Sequence, residues 1–496
     1  MELCWHPYRY FPYERELAFR EVQSLLSPEK YIKTSKGIKL EGGFDVAAME
    51  RLVYFALAST GGHVVRTMQG RLEQAGETRS NRQATRYSVH GLHEYKGKFN
   101  PQVVRAILNI LDVPLGARVL DPFCGSGTSL VECAHLGMSA TGTDINPLAV
   151  FVANAKLLAL ATPATDLSRA LQRVVRDFEP CTGTEGRMAD NRTAYLRSWF
   201  DAMVLTQIEG LRHAIEQEDV ACQPVLLTIA SNLLREYSQQ DPTDLRIRRR
   251  KTPIPQQPFI KVFEEAANAS IARIRSVQSE LGVIPVTSRA HLVDVTNELA
   301  MGRSVGNVCF DVALTSPPYA TALPYIDTQR LSLVWLSLTP PDDILRLESR
   351  LVGSRELRGA DKRGVADLMR TNQAGLPDRQ AEYCLELNAA LSSEDGFRRR
   401  SVPVLLYRYF SSMADAFRSV RARVHKNAPF ALIVGGNHTV LGGRRFDIDT
   451  PQHLAEIAET CGWSHQESIA LQTYQRYGYH MKNAVNSEAL VILRAS

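Results

Sequence analysis

"VLDPFCGSGTSLVECAHLGMSATGTDINP", residues 119–147, holds two strand–loop–helix steps in succession. The run ending at Asp121 is short and apolar, the pattern of a buried strand. Gly125 and Gly127 then allow a tight turn whose N–H groups can face a ligand at a helix N-terminus. "TSLVECAHL" has helical spacing, with Thr128 or Ser129 as its N-cap and Gly137 as its stop. "MSATGTDI" is the next strand, and "NPLAVFVANAKLLAL" the next helix, capped by Asn146 with Pro147 in its first turn. Strands alternating with helices predict a parallel sheet. A pyrophosphate-binding turn would need a third glycine where Leu130 stands, so the loop suits a nucleoside cofactor without a diphosphate. Asp144, closing the second strand, can accept from both hydroxyls of a ribose.

Outward from this stretch the chain divides into four parts. Residues 1–85 read as an N-terminal helical extension: "YERELAFREVQSLLS" has helical spacing, and "DVAAMERLVYFALAST" reads as an amphipathic helix ending at Gly61 and Gly62. A polar linker closes that block. Residues 86–160 carry the first part of the sheet domain. Residues 161–284 read as a helical insertion ending in the basic, proline-rich "DLRIRRRKTPIPQQP". Residues 285–496 resume the sheet with "RAHLVDV", "VCFDVALTSPPY", "PFALIVGG", "ESIALQTY" and "EALVILR", around an irregular charged segment at 340–400.

Composition limits the classes. The chain has 496 residues, 44% of them hydrophobic, enough for a large core, and a formal net charge of +5 that permits a nucleic-acid partner without demanding one. Its eight scattered cysteines form no CxxC pair and read as reduced thiols. "MELCWHPYRYFPYE" has no apolar core of a secretory signal, and no stretch approaches the roughly 20 apolar residues of a membrane span. A cytoplasmic protein is expected.

"TSPPY", Thr315 to Tyr319, ends an apolar strand with a hydroxyl, two prolines and a ring. Open α/β sheets bind ligands at such strand ends. The prolines fix the backbone and remove two N–H donors, which leaves carbonyls without local partners. A serine oxygen, a free carbonyl and a ring face together can hold a flat group that carries an amine.

Taken together, "DPFCGSGT", "TDINP" and "TSPPY" resemble the motifs of the DNA amino-methyltransferases. These are class I enzymes with a Rossmann-like, mostly parallel sheet that use S-adenosylmethionine. The resemblance implies that Asp121, Phe123, Gly125, Gly127 and Thr128 wrap the methionine part of the cofactor. It assigns the ribose to Asp144, with its neighbour Ile145, and the adenine side to Asp294 of "RAHLVDV". "HEYKGKFNPQVVRAIL" is similar to the family's motif before the first strand, with Lys98, Phe99 and Pro101 as its cofactor contacts. Ser316, Pro317, Pro318 and Tyr319 are the implied catalytic loop.

An exocyclic amine on a base is a poor nucleophile because its lone pair is delocalised into the ring. Ser316 Oγ and the Pro317 carbonyl, taking its hydrogens, would restore that lone pair, while Tyr319 stacks on the base. The base must be flipped out of double-stranded DNA or arrive single-stranded. In the resembling family an initial Ser goes mostly with cytosine N4 and Asp or Asn with adenine N6. The reading is therefore a site-specific cytosine-N4 DNA methyltransferase of a restriction or phage-defence system, with a partner protein possible in that setting. Adenine N6 is the alternative, and a non-catalytic DNA-binding subunit the alternative of another class. Cytosine-5 transfer would need a Pro-Cys nucleophile, and the one such pair, Pro180-Cys181, falls in the insertion rather than at a strand end.

For target recognition, Arg246, Arg248, Arg249, Arg250 and Lys251 are the phosphate-binding candidates. The segment from Arg355 to Arg363 and the N-terminal "HPYRYFPYERE" compete for the role. His90 and His93 lack an evident third ligand, so no metal is expected and a surface or substrate contact is. "GGNH", Gly435 to His438, is expected at the pocket rim.

Overall fold

A computed structural model describes residues 1–74, 83–181, 190–320, 326–357, 359–472 and 487–496. The polar linker falls largely outside them, as do the last two residues of "ESIALQTY" and Arg358.

The central sheet has seven strands: β1 (Arg118–Asp121), β2 (Ser139–Asp144), β3 (Arg289–Leu292), β4 (Val312–Thr315), β5 (Pro429–Gly435), β6 (Trp463–Gln472) and β7 (Ser487–Ala495). Their order is β6-β7-β5-β4-β1-β2-β3. From β5 to β3 every pairing is parallel, as in Val119 beside both Ala140 and Val312. Only β7 runs against its neighbours. Side chains alternate strictly between faces. Val119, Val312 and Leu314 enter one core, while Leu120 and Ala313 enter the other. Both faces are therefore covered, which is why these strands read as continuous apolar runs. The order reverses between β1 and β4, so their C-terminal ends open a crevice where ligands bind in such sheets. "DPFCGSG" leaves β1 and "TSPPY" leaves β4 at that crevice.

The helices follow the predicted stops and starts. Pro101–Ile110 is capped by the Asn100 side chain and Pro147–Ala161 by the Asn146 side chain. Helix Thr128–His135 differs. Its N-cap is Gly127 at φ 77°, with no side-chain cap, rather than Thr128 or Ser129. The Ser129 hydroxyl is instead spent on Asp121.

The block before residue 85 is mixed rather than wholly helical. Helix Pro12–Leu26 stands where predicted. The second expected helix is cut to Val46–Arg51, and Phe55–Thr60 is a strand. It pairs with Glu2–Trp5 and, across the Gly61–Gly62 turn, with His63–Arg66, in a five-stranded antiparallel sheet. Both glycines have positive φ, 55° and 86°, which suits a tight hairpin turn better than a helix stop. The partner strands lie far away in sequence, and helical periodicity could not register them. The aromatic "HPYRYFPYERE" turns inward. Tyr10 O–H donates to the Tyr54 carbonyl at 2.6 Å, and Trp5 stacks on Phe55 at 4.4 Å. Arg20 pairs with Glu467 and fastens this block to β6.

Residues 161–284 contain the helices Ala164–Arg176, Asn191–Trp199, Ala202–Glu216, Gln223–Tyr237 and Phe259–Leu281. Their buried residues, such as Leu226, Phe263 and Ile274, share one core with Val119 and Leu148 of the sheet domain. Among the described residues no single helix is long and apolar enough to cross a membrane. All eight cysteines are free thiols.

Candidate active site

Asp121 is the centre of the crevice. It is 2% exposed. Its Oδ1 accepts from Thr315 Oγ1 at 2.7 Å and from the Phe123 N–H at 3.1 Å, and its Oδ2 accepts from Ser129 Oγ. Burial pushes its carboxyl up to about 6, against the pull of these donors. Asp144 is similar: it accepts from the Asn146 N–H at 2.8 Å and the Gly125 N–H at 3.0 Å, and burial again pushes it up to about 6.

The loop between the two acids depends on glycine at two points. Gly125 has φ 49°, and a Cβ there would lie 3.4 Å from the Tyr95 ring. Gly127 has φ 77°, and a Cβ would meet the Ala153 Cβ at 2.7 Å. The second glycine thus sets how closely the loop and the next helix pack. From below, the buried Lys156 donates to the Ser126 carbonyl at 2.8 Å. Burial and the nearby Lys98 hold its ammonium well below the usual lysine range.

One cleft is walled by Tyr95, Lys98, Phe99, Asp121, Phe123, Gly125, Thr128 and Ser316. Ser316 of the expected catalytic loop therefore shares one wall with Lys98, Phe99, Asp121, Phe123, Gly125 and Thr128 of the expected cofactor contacts. Tyr95 stands in "HEYKGKFNPQVVRAIL" beside the contacts expected there, and Lys156 had no motif to mark it. Tyr95 packs its ring on Gly125, and its hydroxyl accepts from Asn146 Nδ2 at 3.4 Å, beside Asp144. Pro101, Ile145 and Asp294 are not part of that wall, and the Lys98 ammonium is turned to its own segment. Pro101 is buried at the first turn of its helix, and Ile145 packs against the core. Lys98 Nζ donates to the Thr85 carbonyl at 2.8 Å, holding its own segment, and burial pushes it down to about 8. Asp294 accepts from Thr296 and lies 3.7 Å from Arg350.

The strand end that carries "TSPPY" is held from several sides. Ser316 Oγ donates to the Ile433 carbonyl at 3.4 Å, so its lone pairs remain for another donor. Tyr319 O–H donates to Glu488. The "GGNH" segment reaches the residue after Tyr319: Asn437 Nδ2 donates to the Ala320 carbonyl at 3.2 Å. At Gly353 a Cβ would come within 2.5 Å of the Tyr319 carbonyl, so glycine lets that segment seat against the loop.

The basic run is mostly engaged within the fold. Arg248 pairs with Asp244 at 3.0 Å, Arg249 covers the Trp199 ring at 5.2 Å, and Arg250 donates to the Glu236 and Ser238 carbonyls. Arg246 and Lys251 are exposed. Arg355 stands near Arg246 and Arg398; desolvation and these like charges lower its guanidinium below its usual range. Two segments that competed for one role in the sequence are thus brought together.

His90 is not a surface contact. It is buried with Glu132, His135 and Arg105, its Nε2 2.7 Å from Glu132 Oε1, and His93 is buried beside it. The His90, Glu132 and His135 ligand atoms lie close enough to hold a cation, yet the Arg105 guanidinium already occupies the second Glu132 oxygen. The cluster joins the segment before Lys98 to the helix after the glycine loop.

Strand order, crevice and glycine loop are those of the class I methyltransferase fold. Comparisons with known proteins agree. Residues 92–180 match the RMKL-like methyltransferase domain family. The chain is similar to several type II methyltransferases. It is 44% identical to M.MjaII of Methanocaldococcus jannaschii over 78 residues, 16% of this chain and 14% of that protein. It is 24% identical to M.MvaI of Kocuria varians over 292 residues, 55% of this chain and 63% of that protein. M.AvaI of Nostoc sp. is 22% identical over 397 residues, 77% of this chain and 80% of that protein. The chain thus spans less than two thirds of the first two relatives.

Class I methyltransferases take their methyl group from S-adenosylmethionine, and the residues here fit it. A nucleoside with an amino-acid tail would meet Asp121, Thr128 and the Phe99 and Phe123 rings in this cleft, with Asp144 bonded to its Gly125 wall.

Proposed function

We propose that this chain methylates an exocyclic amine of a DNA base, cytosine N4, in a site-specific manner. The observation that carries the reading is Ser316 in the wall of the same cleft as Asp121, Phe123 and Gly125. Ser316 gives its own hydrogen to Ile433, so its oxygen is left to accept. With the Pro317 carbonyl it takes the hydrogens of the target amine and localises the nitrogen lone pair. Tyr319 stacks on the base, and a flipped or single-stranded base is required. When bound, S-adenosylmethionine supplies the methyl: the new N–C bond forms as the sulfonium S–C bond breaks, and the amine gives up one proton to solvent. The remaining rate gain comes from position and desolvation. The initial Ser favours cytosine over adenine N6, as in the family it resembles. After its type II relatives, we infer a cytoplasmic restriction or defence setting.

The test is nucleoside mass spectrometry on unmethylated plasmid DNA incubated with S-adenosylmethionine and either the protein or its Ser316→Ala variant. N4-methylcytosine with the native protein alone is the expected result. N6-methyladenine would overturn the choice of base, and neither product would overturn the reaction.

A further inference from the structure

We propose that Glu488 is a positioning residue for Tyr319, fixing the ring that receives the target base; this rests on the function proposed above. Glu488 accepts the Tyr319 hydroxyl hydrogen. It lies opposite Gly435 in the antiparallel β5–β7 pairing, and the β5 residue two places earlier is Ile433. The Ile433 carbonyl takes the Ser316 hydroxyl. One pair of strands therefore orients both the amine acceptor and the stacking ring, although Ser316 and Glu488 are 172 positions apart in the chain.

Stacking alone would be served by phenylalanine. The phenol adds a handle, and a carboxylate is the strongest acceptor it can meet, since a charge-assisted hydrogen bond is roughly twice as strong as a neutral one. Rotation about the ring bond is otherwise broad. The backbone of the loop has separate supports: Asn437 on the Ala320 carbonyl, Gly353 against the Tyr319 carbonyl, and Thr315 on Asp121. Removing Glu488 thus takes away this hydrogen bond and leaves the supports of the loop backbone in place.

The experiment measures methyl transfer from labelled S-adenosylmethionine to unmethylated plasmid across DNA concentrations. The proteins compared are the native chain, Tyr319→Phe, Tyr319→Ala, Glu488→Ala, Glu488→Gln and the Tyr319→Phe/Glu488→Ala pair. Tyr319→Phe and Glu488→Ala should each lower kcat/KM for DNA about tenfold, and the pair no further, with cofactor affinity and Tm unchanged. Glu488→Gln, whose amide oxygen still accepts, should recover part of the loss. Full activity in Tyr319→Phe or Glu488→Ala while Tyr319→Ala is inactive would overturn the positioning role and leave the catalytic loop standing. Additive losses in the pair would also overturn it. Activity retained in Tyr319→Ala would overturn the catalytic loop itself and the proposal with it.

Discussion

Thr315 Oγ1 donates to Asp121 Oδ1 at 2.7 Å, between residues 194 positions apart and both buried. This bond ties the end of the catalytic strand to the end of the cofactor strand. It fixes the distance between the two halves of the site where the sheet order reverses. Thr315→Val keeps the shape and leaves Asp121 short of one donor. We expect a loss of about 1–3 kcal/mol in stability, measured by urea denaturation, together with weaker cofactor binding. A variant as stable as the native chain would show that the bond is incidental.

The two buried acids predict a pH dependence. Asp121 and Asp144 are pushed up to about 6 from an ordinary value of 3.8. A raised carboxyl binds its proton more tightly in the folded chain, so its contribution to stability is fullest below the unfolded value and is lost as pH rises through about 6. These acids therefore do not destabilise the free protein between pH 7 and 5. Cofactor binding runs the other way, because Asp144 must be ionised to accept from both ribose hydroxyls. Calorimetric titration with S-adenosylmethionine should show affinity falling from pH 8 to 5 around a midpoint of about 6. Asp144→Asn should bind weakly at every pH.

Gly127 combines a left-handed backbone with close packing against Ala153. Gly127→Ala meets both obstacles, and we expect a loss of about 2–4 kcal/mol, read as a lower denaturation midpoint. The variant should also lose the thermal shift that cofactor gives the native chain. Gly116 has φ 81° and open space around it, so Gly116→Ala meets the backbone penalty alone and should cost less.

The arginines separate into two groups by what they touch. Arg249→Ala and Arg250→Ala remove the interactions with Trp199 and with the Glu236 and Ser238 carbonyls, and should lower stability. Arg246→Ala should leave the fold intact and weaken DNA binding at all sequences. Each arginine–phosphate pairing removed in this way should reduce the slope of log affinity against log salt by about 1. Filter binding at several salt concentrations distinguishes the two groups.

Much of the site was legible because its chemistry is local. A strand, a glycine turn and a helix N-terminus adjoin in sequence, so "DPFCGSGT" places Asp121, Gly125 and Thr128 without further information. Asn146 and Pro147 mark a helix start by short-range geometry alone. "SPPY" likewise carries its acceptor, its rigid backbone and its ring within four residues. Tertiary structure decided whatever depends on pairing at a distance. Phe55–Thr60 became a strand because Glu2–Trp5 and His63–Arg66 were there to pair with it. Arg249 lies over the Trp199 ring at the surface, and Arg250 reaches two helix-end carbonyls, because the fold brought these partners within reach. Lys156 and Glu488 have no motif, and Tyr95 was not singled out within its own; each gained its place when the sheet brought a serine carbonyl, a phenol or a glycine against it. Local sequence determines conformation over one or two turns of backbone, whereas burial and hydrogen-bond partners are settled only when distant strands meet.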